Sequence, residues 1–218
     1  MNPTDLVVYV VDDDEAVRKS IYYLLAAKAY QVSTFASGEE FLATASLKRG
    51  GCAILDLRLD NMSGLQVFDA LRARGSPLVT VFLSGHGDIS LAVDATKKGA
   101  FGWLEKPCID TLLRDTVALA MAEAQLVLDV FVQKIQKSAL WQTLTARERD
   151  VAWQTRTGTP NKLIARTLGI DVRTVETHRA RVYSKLHVTN PIELDQLMRG
   201  ADLSPQGPAL SHQFEPGA

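Results

Sequence analysis

Carboxylates follow two short apolar runs in the first half of the sequence. Asp56 follows the run 52–55, and three consecutive aspartates at 12–14 follow the run 6–11. An apolar run too short for a helix and bounded by glycine or polar residues is typical of a strand buried on both faces. The carboxyl ends of parallel strands meet at one edge of a sheet, where ligand sites are found. We therefore expect these carboxylates to share one pocket.

The residue types around this pocket point to a divalent cation and a phosphoryl group. Carboxylates without His or Cys suit a hard cation with oxygen ligands, commonly Mg²⁺. A cation would relieve the repulsion between the carboxylates and neutralise charge on a phosphoryl group. Ser84 ends the fourth predicted strand and Lys106 follows the fifth, so a hydroxyl and an ammonium can contact phosphoryl oxygens. A cis bond between Lys106 and Pro107 would direct the lysine inward.

Each of these features has a simpler interpretation when taken alone. Three aspartates after a strand can be a helix N-cap and a solvated turn, and a Ser or Lys after a strand carries no signal. Four such features at the ends of strands one, three, four and five, in order, favour the phosphoryl site.

The elements that must position these residues alternate between strand and helix through residues 6–124. Predicted strands cover 6–11, 31–35, 52–55, 78–83 and 102–105, and predicted helices cover 15–27, 37–45, 64–72, 89–98 and 109–124. Ser37 and Asp88 are predicted helix caps. A regular strand–helix repeat implies a parallel sheet with helices on both faces, an α/β fold.

The second half, residues 141–198, carries only helical signals. Thr145 with its capping-box partner Glu148, Asn161 and Asp171 are predicted to cap three helices, and Pro191 opens a fourth. Residues 126–140 contain no Gly or Pro, which favours one amphipathic linker helix over a dedicated coiled coil. Residues 201–218 are rich in Pro, Gly and Ser and are expected to be a disordered tail.

The two halves differ in charge. Residues 1–125 contain 12 Lys and Arg against 16 Asp and Glu, whereas residues 140–200 contain 10 against 6. The basic half is therefore expected to bind nucleic acid. Cys52 and Cys108 are interpreted as free thiols in a reducing compartment. No apolar run approaches the roughly 20 residues of a membrane span, and the N-terminus has no signal-peptide pattern, so we expect a cytoplasmic protein.

Four motifs of the first half resemble the receiver domain of two-component response regulators. They are VVDDD at 10–14, LD at 55–56, FLSGH at 82–86 and EKP at 105–107. The resemblance implies a flavodoxin-like (βα)5 receiver domain over 1–125 with strand order 2-1-3-4-5. The roles that it implies are phosphoacceptor for Asp56, Mg²⁺ ligands for Asp12, Asp13, Asp56 and the backbone carbonyl of Arg58, switch pair for Ser84 and Trp103, and phosphoryl contact for Lys106. Trp103 departs from the Phe or Tyr that is usual there.

Further motifs at 144–151, 161–165, 168–170 and 174–179 resemble the LuxR-type helix-turn-helix. With the receiver motifs, they resemble response regulators of the NarL/FixJ class, and its FixJ-like branch most of all. An all-α DNA-binding domain over 141–200, joined by the helical linker 126–140, is implied.

The predicted helix 172–186 has one apolar and one polar face. Val175, Val182 and Leu186 share the face expected to pack inward, and the opposite face can enter a major groove. The residues expected to bind DNA are Lys162, Arg173, Thr174, Glu176, Thr177, Arg181 and Lys185. A solvated basic helix on a small helical domain is the simpler alternative. Arg179 either contacts phosphate or pairs with Glu148.

These features predict a phosphorylation-controlled transcription factor, with activation the expected outcome, and not an enzyme. The resemblance implies that a sensor histidine kinase phosphorylates Asp56 with Mg²⁺ and that the switch pair then changes the face of helix four, strand five and helix five. This change permits homodimerisation and binding to double-stranded promoter DNA, and RNA polymerase is a further candidate partner.

Two alternative functions are open to the same residues. In the first, the chain is an Mg²⁺-dependent phosphatase with Asp56 as nucleophile and a nucleic-acid-binding appendage. Arg58 stands where such hydrolases carry a second catalytic acid. In the second, the chain is a regulator that works unphosphorylated, and the full set of acceptor-pocket residues argues against it.

Overall fold

A computed structural model describes residues 6–85, 89–204 and 207–208, and the chain divides into two compact units, residues 1–130 and 131–218. The first unit contains a parallel five-stranded sheet of order β2-β1-β3-β4-β5. Its strands are β1 (Val7–Val11), β2 (Gln31–Phe35), β3 (Gly51–Asp56), β4 (Leu78–Ser84) and β5 (Gly102–Glu105). Its helices are α1 (Glu15–Ala26), α2 (Gly38–Thr44), α3 (Gly64–Ala73), α4 (Ile89–Lys97) and α5 (Asp110–Gln142), of which α5 continues into the second unit. The predicted flavodoxin-like order is confirmed.

The central strands are apolar without interruption because both faces of the sheet are covered. Every residue of β1, β3 and β4 is buried, whereas the edge strand β2 has exposed positions. Two separate apolar cores, one containing Leu55 and Phe82 and the other containing Ile54 and Leu83, form from alternate residues of these strands. This alternation is the period-two geometry of a strand.

Gly64 lets the start of α3 approach the end of β3. A Cβ at this position would lie 2.2 Å from the backbone oxygen of Asp56. Ser63 caps α3 in a capping box with Gln66. The helix start is therefore held against the strand end that carries Asp56.

The fifth helix is longer than the predicted helix 109–124. It runs without a break from Asp110 to Gln142 and so includes the whole of the predicted linker helix 126–140. The predicted cap Asp88 and His86 of the third receiver motif lie outside the described residues. Within the described part of the chain, no helix combines the length and hydropathy that crossing a membrane requires.

The second unit is helical. It contains α6 (Ala146–Thr155), α7 (Asn161–Leu168), α8 (Val172–Leu186) and α9 (Pro191–Arg199), followed by the two-residue strands β6 (Leu203–Ser204) and β7 (Gly207–Pro208). The predicted capping box of Thr145 and Glu148 is present with both of its hydrogen bonds. Trp141, at the end of α5, is fully buried in the core of this unit with Leu186 and Leu194.

Three expectations for this unit need correction. Pro160, and not Asn161, is the N-cap of α7, and Asn161 is the first residue of that helix. Asp171 occupies the N-cap position of α8, but its side chain makes no capping hydrogen bond. The packed region extends beyond residue 200, since Ala201 and Leu203 are buried in the apolar core. Residues 205–206 and 209–218 of the expected tail lie outside the described residues.

Candidate functional site

The carboxylates expected to share a pocket do come together. β1 and β3 are neighbours with Val11 paired to Leu55, so the next residues, Asp12 and Asp56, lie side by side. Carboxylate oxygens of Asp12, Asp13 and Asp56 all lie within 4.8 Å of one another. Asp12 is fully buried, Asp56 is 6% exposed, and Asp13 is exposed.

Asp14, the third aspartate of the run, is the N-cap of α1. Its Oδ1 accepts hydrogen bonds from the backbone amides of Ala16 at 2.7 Å and Val17 at 3.4 Å, which caps α1. The simpler interpretation of the acidic run as a helix cap therefore holds for Asp14, while Asp12 and Asp13 belong to the carboxylate cluster.

Lys106 joins the two buried carboxylates. Its Nζ lies 2.6 Å from Asp12 Oδ2 and 2.8 Å from Asp56 Oδ2. The Lys106–Pro107 peptide bond is cis, as the sequence suggested. The backbone amide of Lys106 donates to the backbone oxygen of Ser84 at 2.6 Å, which connects the loop after β5 to the end of β4.

Burial and pairing compete in setting the protonation of these groups. Burial raises the pKa of Asp12, and the hydrogen bonds from Lys106 and the Asp14 amide only partly offset this. Burial alone would lower the pKa of Lys106, but its hydrogen bonds to Asp12 and Asp56 outweigh burial and raise it. Lys106 therefore stays charged at neutral pH, while the ionised form of Asp12 is less favourable than in water. A cation at the cluster would relieve this cost.

Trp103 fits beside Ser84 despite its size. Its Nε1 donates to Ser84 Oγ at 2.6 Å, and its ring lies 5.4 Å from the ring of Phe82. Ser84 is buried, with 2% of its surface exposed. Because an indole nitrogen can only donate, the Ser84 hydroxyl keeps its own hydrogen for another acceptor.

Arg58 is exposed, and its backbone amide donates to Asp56 Oδ1 at 3.2 Å. This bond orients the Asp56 carboxylate. The metal-ligand role of the Arg58 carbonyl stays a prediction.

Sequence reasoning missed Arg18. Its side chain bonds the backbone oxygens of both Asp12 and Asp13. The signal that could have revealed it is an arginine in the first turns of the helix that follows an acidic strand end.

The second unit presents the expected polar helix face. Val175, Val182 and Leu186 of α8 are at most 1% exposed and pack inward. The exposed residues of the opposite side are Arg173, Thr174, Glu176, Thr177 and Arg181, with Lys162 exposed on α7. The Thr177 hydroxyl donates to the Arg173 backbone oxygen at 2.9 Å, which leaves its methyl group and lone pairs for contacts outside the helix.

Lys185 has a partner that the sequence did not indicate. Its Nζ lies 2.7 Å from Glu148 Oε2, and Glu148 is only 2% exposed. Burial alone would raise the pKa of Glu148, but hydrogen bonds from Lys185 and Thr145 outweigh burial and hold it below its usual value. Lys185 therefore supports the packing of α6 on α8.

Arg179 does not pair with Glu148, so that alternative is wrong. Its guanidinium donates to Asn161 Oδ1 and to the hydroxyl of Tyr183. The cation that reaches Glu148 is Lys185, six residues further along α8.

Both halves of the chain match known families. The response regulator receiver domain matches residues 8–118, and the luxR family of bacterial regulatory proteins matches residues 142–198. This chain belongs to the two-component response regulators. Since the response regulator carries a LuxR-type DNA-binding domain after its receiver, it regulates transcription under the control of phosphorylation. Its family is one of transcription regulators and not a class of enzymes.

Relatives match over nearly the full length of the response regulator. The transcriptional regulatory protein TdiR of Thauera aromatica is 40% identical over 195 residues, which cover 89% of this chain and 86% of TdiR. The transcriptional regulatory protein FixJ of Rhizobium meliloti is 37% identical over 207 residues, which cover 94% of this chain and 100% of FixJ. Among solved structures, the response regulator StyR is 34% identical with a TM-score of 0.70, covering 89% of this chain and 98% of StyR.

Proposed function

We propose that Asp56 accepts a phosphoryl group from a sensor histidine kinase. The observation that carries this proposal is the position of its carboxylate, at the end of β3, clustered with Asp12 and Asp13 and bonded by Lys106. An Asp56 oxygen forms the new O–P bond as the N–P bond of the donor phosphohistidine breaks. Lys106, which stays charged, then pairs with phosphoryl oxygens in addition to, or in place of, the carboxylates.

The carboxylate cluster suits Mg²⁺. Asp12, Asp13, Asp56 and the backbone carbonyl of Arg58 would hold the ion, since hard divalent cations prefer oxygen ligands. The close approach of three carboxylates favours a bound cation, which would relieve their mutual repulsion. When bound, the ion supplies positive charge against the developing charge of the phosphoryl group. The protein supplies the fixed orientation of the acceptor.

We assign the switch to Ser84 and Trp103. The free hydrogen of the Ser84 hydroxyl can bond a phosphoryl oxygen on Asp56, and the indole follows the hydroxyl because the two are already bonded. Apolar side chains are exposed on α4 and just before β5, namely Leu91, Val93 and Phe101. We propose that this α4–β5–α5 face changes on phosphorylation and forms the homodimer.

The exposed side of α8 is proposed to bind promoter DNA. Arg173 and Arg181 supply positive charge, while Thr174, Glu176 and Thr177 can meet base edges, and Lys162 of α7 can contact phosphate. Lys185 does not belong to this proposed surface, since its ammonium is bonded to Glu148. We propose 1–125 as the receiver domain, 126–140 as the linker and 141–200 as the DNA-binding domain, to whose core Ala201 and Leu203 also belong. We also propose a cytoplasmic location and contact with RNA polymerase.

Replacement of Asp56 tests the proposal directly. Asp56→Asn should abolish labelling by acetyl phosphate or by a histidine kinase, because an amide cannot accept the phosphoryl group. Asp60→Asn is the matched control, since Asp60 is an exposed carboxylate in the loop after β3, and it should label like the wild type. Normal labelling of Asp56→Asn would identify a different acceptor. Sustained turnover of a small phosphate ester would instead support a hydrolase.

A further inference from the structure

Arg18 reaches from α1 back to the connection between β1 and α1. Its Nη1 donates to the backbone oxygen of Asp12 at 2.6 Å and to the backbone oxygen of Asp13 at 2.8 Å. One guanidinium nitrogen therefore holds two successive peptide units, and the side chains of both residues belong to the carboxylate cluster. Hydrogen bonds from a charged donor are about twice as strong as neutral ones.

This connection is short, so the peptide orientation governs where the carboxylates lie. Only residues 12–14 separate the end of β1 from the start of α1. The Asp12 amide donates to the oxygen of Phe35 at 3.2 Å, and Asp12 Oδ1 accepts from the Asp14 amide at 3.0 Å. The bonds from Arg18 add a restraint on the carbonyl groups of Asp12 and Asp13. Rotation of either peptide would move a carboxylate of the cluster.

The two cations near the cluster are bound to it in different ways. Lys106 bonds the carboxylate oxygens of Asp12 and Asp56, which are the atoms that a metal ion would need. Among the described residues, Arg18 bonds the backbone oxygens of Asp12 and Asp13 and not their carboxylates. Arg18 can therefore keep its bonds while the carboxylates are occupied by a metal ion, whereas Lys106 has to share or release its partners.

We propose that Arg18 is a positioning residue of the cation site, which fixes the directions in which Asp12 and Asp13 present their carboxylates and thereby sets the affinity for Mg²⁺. The inference rests on the proposed Mg²⁺ site. Residues that orient metal ligands without touching the metal typically change its affinity 10–100-fold when they are replaced.

Calorimetric titration of the full chain with MgCl2 tests this role. Arg18→Met keeps the length of the stem and removes the donors, Arg18→Gln keeps an uncharged donor, and Arg18→Lys keeps a charged donor. We expect about 10-fold weaker Mg²⁺ binding for the Met and Gln variants and most of the affinity for Lys. Lys19→Met is the matched control, because the neighbouring Lys19 is exposed and pairs only with Glu15 among the described residues. Its Mg²⁺ affinity should equal that of the wild type.

The rate of labelling by acetyl phosphate separates positioning from a general structural defect. At saturating Mg²⁺ the Gln variant should label within about threefold of the wild type, because Arg18 acts through ligand placement, whereas at low Mg²⁺ it should lag by about the 10-fold loss of affinity. Equal or tighter Mg²⁺ binding by the folded variants overturns the inference. If Arg18→Met does not fold, the Lys and Gln variants decide by the same criterion. Absence of Mg²⁺ binding by the wild type would overturn the proposed metal site itself.

Discussion

Each half of the molecule buries a carboxylate against a lysine, yet the two environments act on protonation in opposite directions. Asp12 is fully buried with Lys106 at 2.6 Å, and its pKa is raised by burial. Glu148 is 2% exposed with Lys185 at 2.7 Å, and its pKa is lowered. The pairs are alike in distance, so the lysine alone does not explain the difference.

The difference lies in the balance between burial and hydrogen bonding. Burial outweighs the hydrogen bonds that Lys106 and the Asp14 amide donate to Asp12, and the charge of Asp56 adds to its effect, whereas the hydrogen bonds to Glu148 outweigh burial. Glu148 accepts a hydrogen bond from the Thr145 amide in the capping box as well as the bond from Lys185. Asp12 shares Lys106 with Asp56 and lies close to Asp13. Glu148 and Lys185 form a structural ion pair whose hydrogen bonds are satisfied. The cluster of Asp12, Asp13 and Asp56 has three carboxylates against the single ammonium of Lys106. This excess of negative charge is the condition for binding a cation or exchanging partners.

The largest expected effect comes from removing the lysine of the structural pair. Lys185→Met leaves the buried Glu148 without its cation, which should cost about 1.5–3 kcal/mol of unfolding free energy in the helical unit, since solvent already screens the partly exposed lysine. Hydrogen exchange of α6 and α8 peptides, resolved by mass spectrometry, measures this, and added Mg²⁺ should not reverse it. Arg181→Met on the same helix is the exposed control. Wild-type exchange in Lys185→Met would show that the pair is not structural and would restore Lys185 as a candidate DNA contact.

The matching change in the receiver should behave differently. Lys106→Met leaves Asp12 and Asp56 without their shared cation, so the metal-free receiver should lose stability. Mg²⁺ should bind several-fold more tightly than in the wild type and restore that stability, since the ion no longer competes with the ammonium. Calorimetry and urea unfolding with and without MgCl2 provide the two measurements. Unchanged or weaker Mg²⁺ binding would contradict the view that Lys106 occupies the cation's ligands.

The opposite pKa shifts predict opposite responses to acid in metal-free protein. Glu148 has a lowered pKa, so its stabilising contribution is present above its usual value and is lost as the pH falls through the folded value. Asp12 has a raised pKa, so its contribution is present below its usual value and is lost as the pH rises through the folded value. Unfolding of Asp12→Asn and Glu148→Gln, each compared with the wild type across pH, isolates the two groups. The difference in unfolding free energy between the wild type and each variant should change with pH in opposite directions for the two groups. A change in the same direction would contradict the opposite pKa shifts.

The smallest effects concern the exposed side of α8. Arg181→Ala should weaken binding to all DNA sequences, because one phosphate contact is lost. The slope of the logarithm of the binding constant against the logarithm of the salt concentration should decrease in magnitude by about 1. Thr177→Ala should relax specificity at one base pair, with a cost on the order of 1–3 kcal/mol if a direct contact is lost. Titrations against specific and random duplexes at several salt concentrations measure both. Wild-type binding by both variants would make this face structural, like the Lys185 side of the same helix.

Much of the receiver was predictable because its signals are local. The uninterrupted apolar strands end on the residues that form the site, and parallel pairing aligns Val11 with Leu55, so the clustering of Asp12 and Asp56 follows from strand ends alone. The capping box of Thr145 and Glu148 was predictable for the same reason, since its two residues are three positions apart. The roles of these residues in phosphorylation and DNA binding stay predictions until the variants are measured.

Other features depend on where distant segments pack. The sequence offered Arg179 and Lys185 on one helix, and only the packing of α6 against α8 selects Lys185 for Glu148. Arg18 is the local exception, because it lies only six and five residues from Asp12 and Asp13, and its position in the helix after an acidic strand end could have indicated the contact. The sequence by itself determined the strands, the helix faces and the residues at the strand ends, since short-range periodicity and chain order specify them. Tertiary structure decided which long, flexible side chains meet, because their reach spans several alternative partners and only the packed backbone fixes the distances.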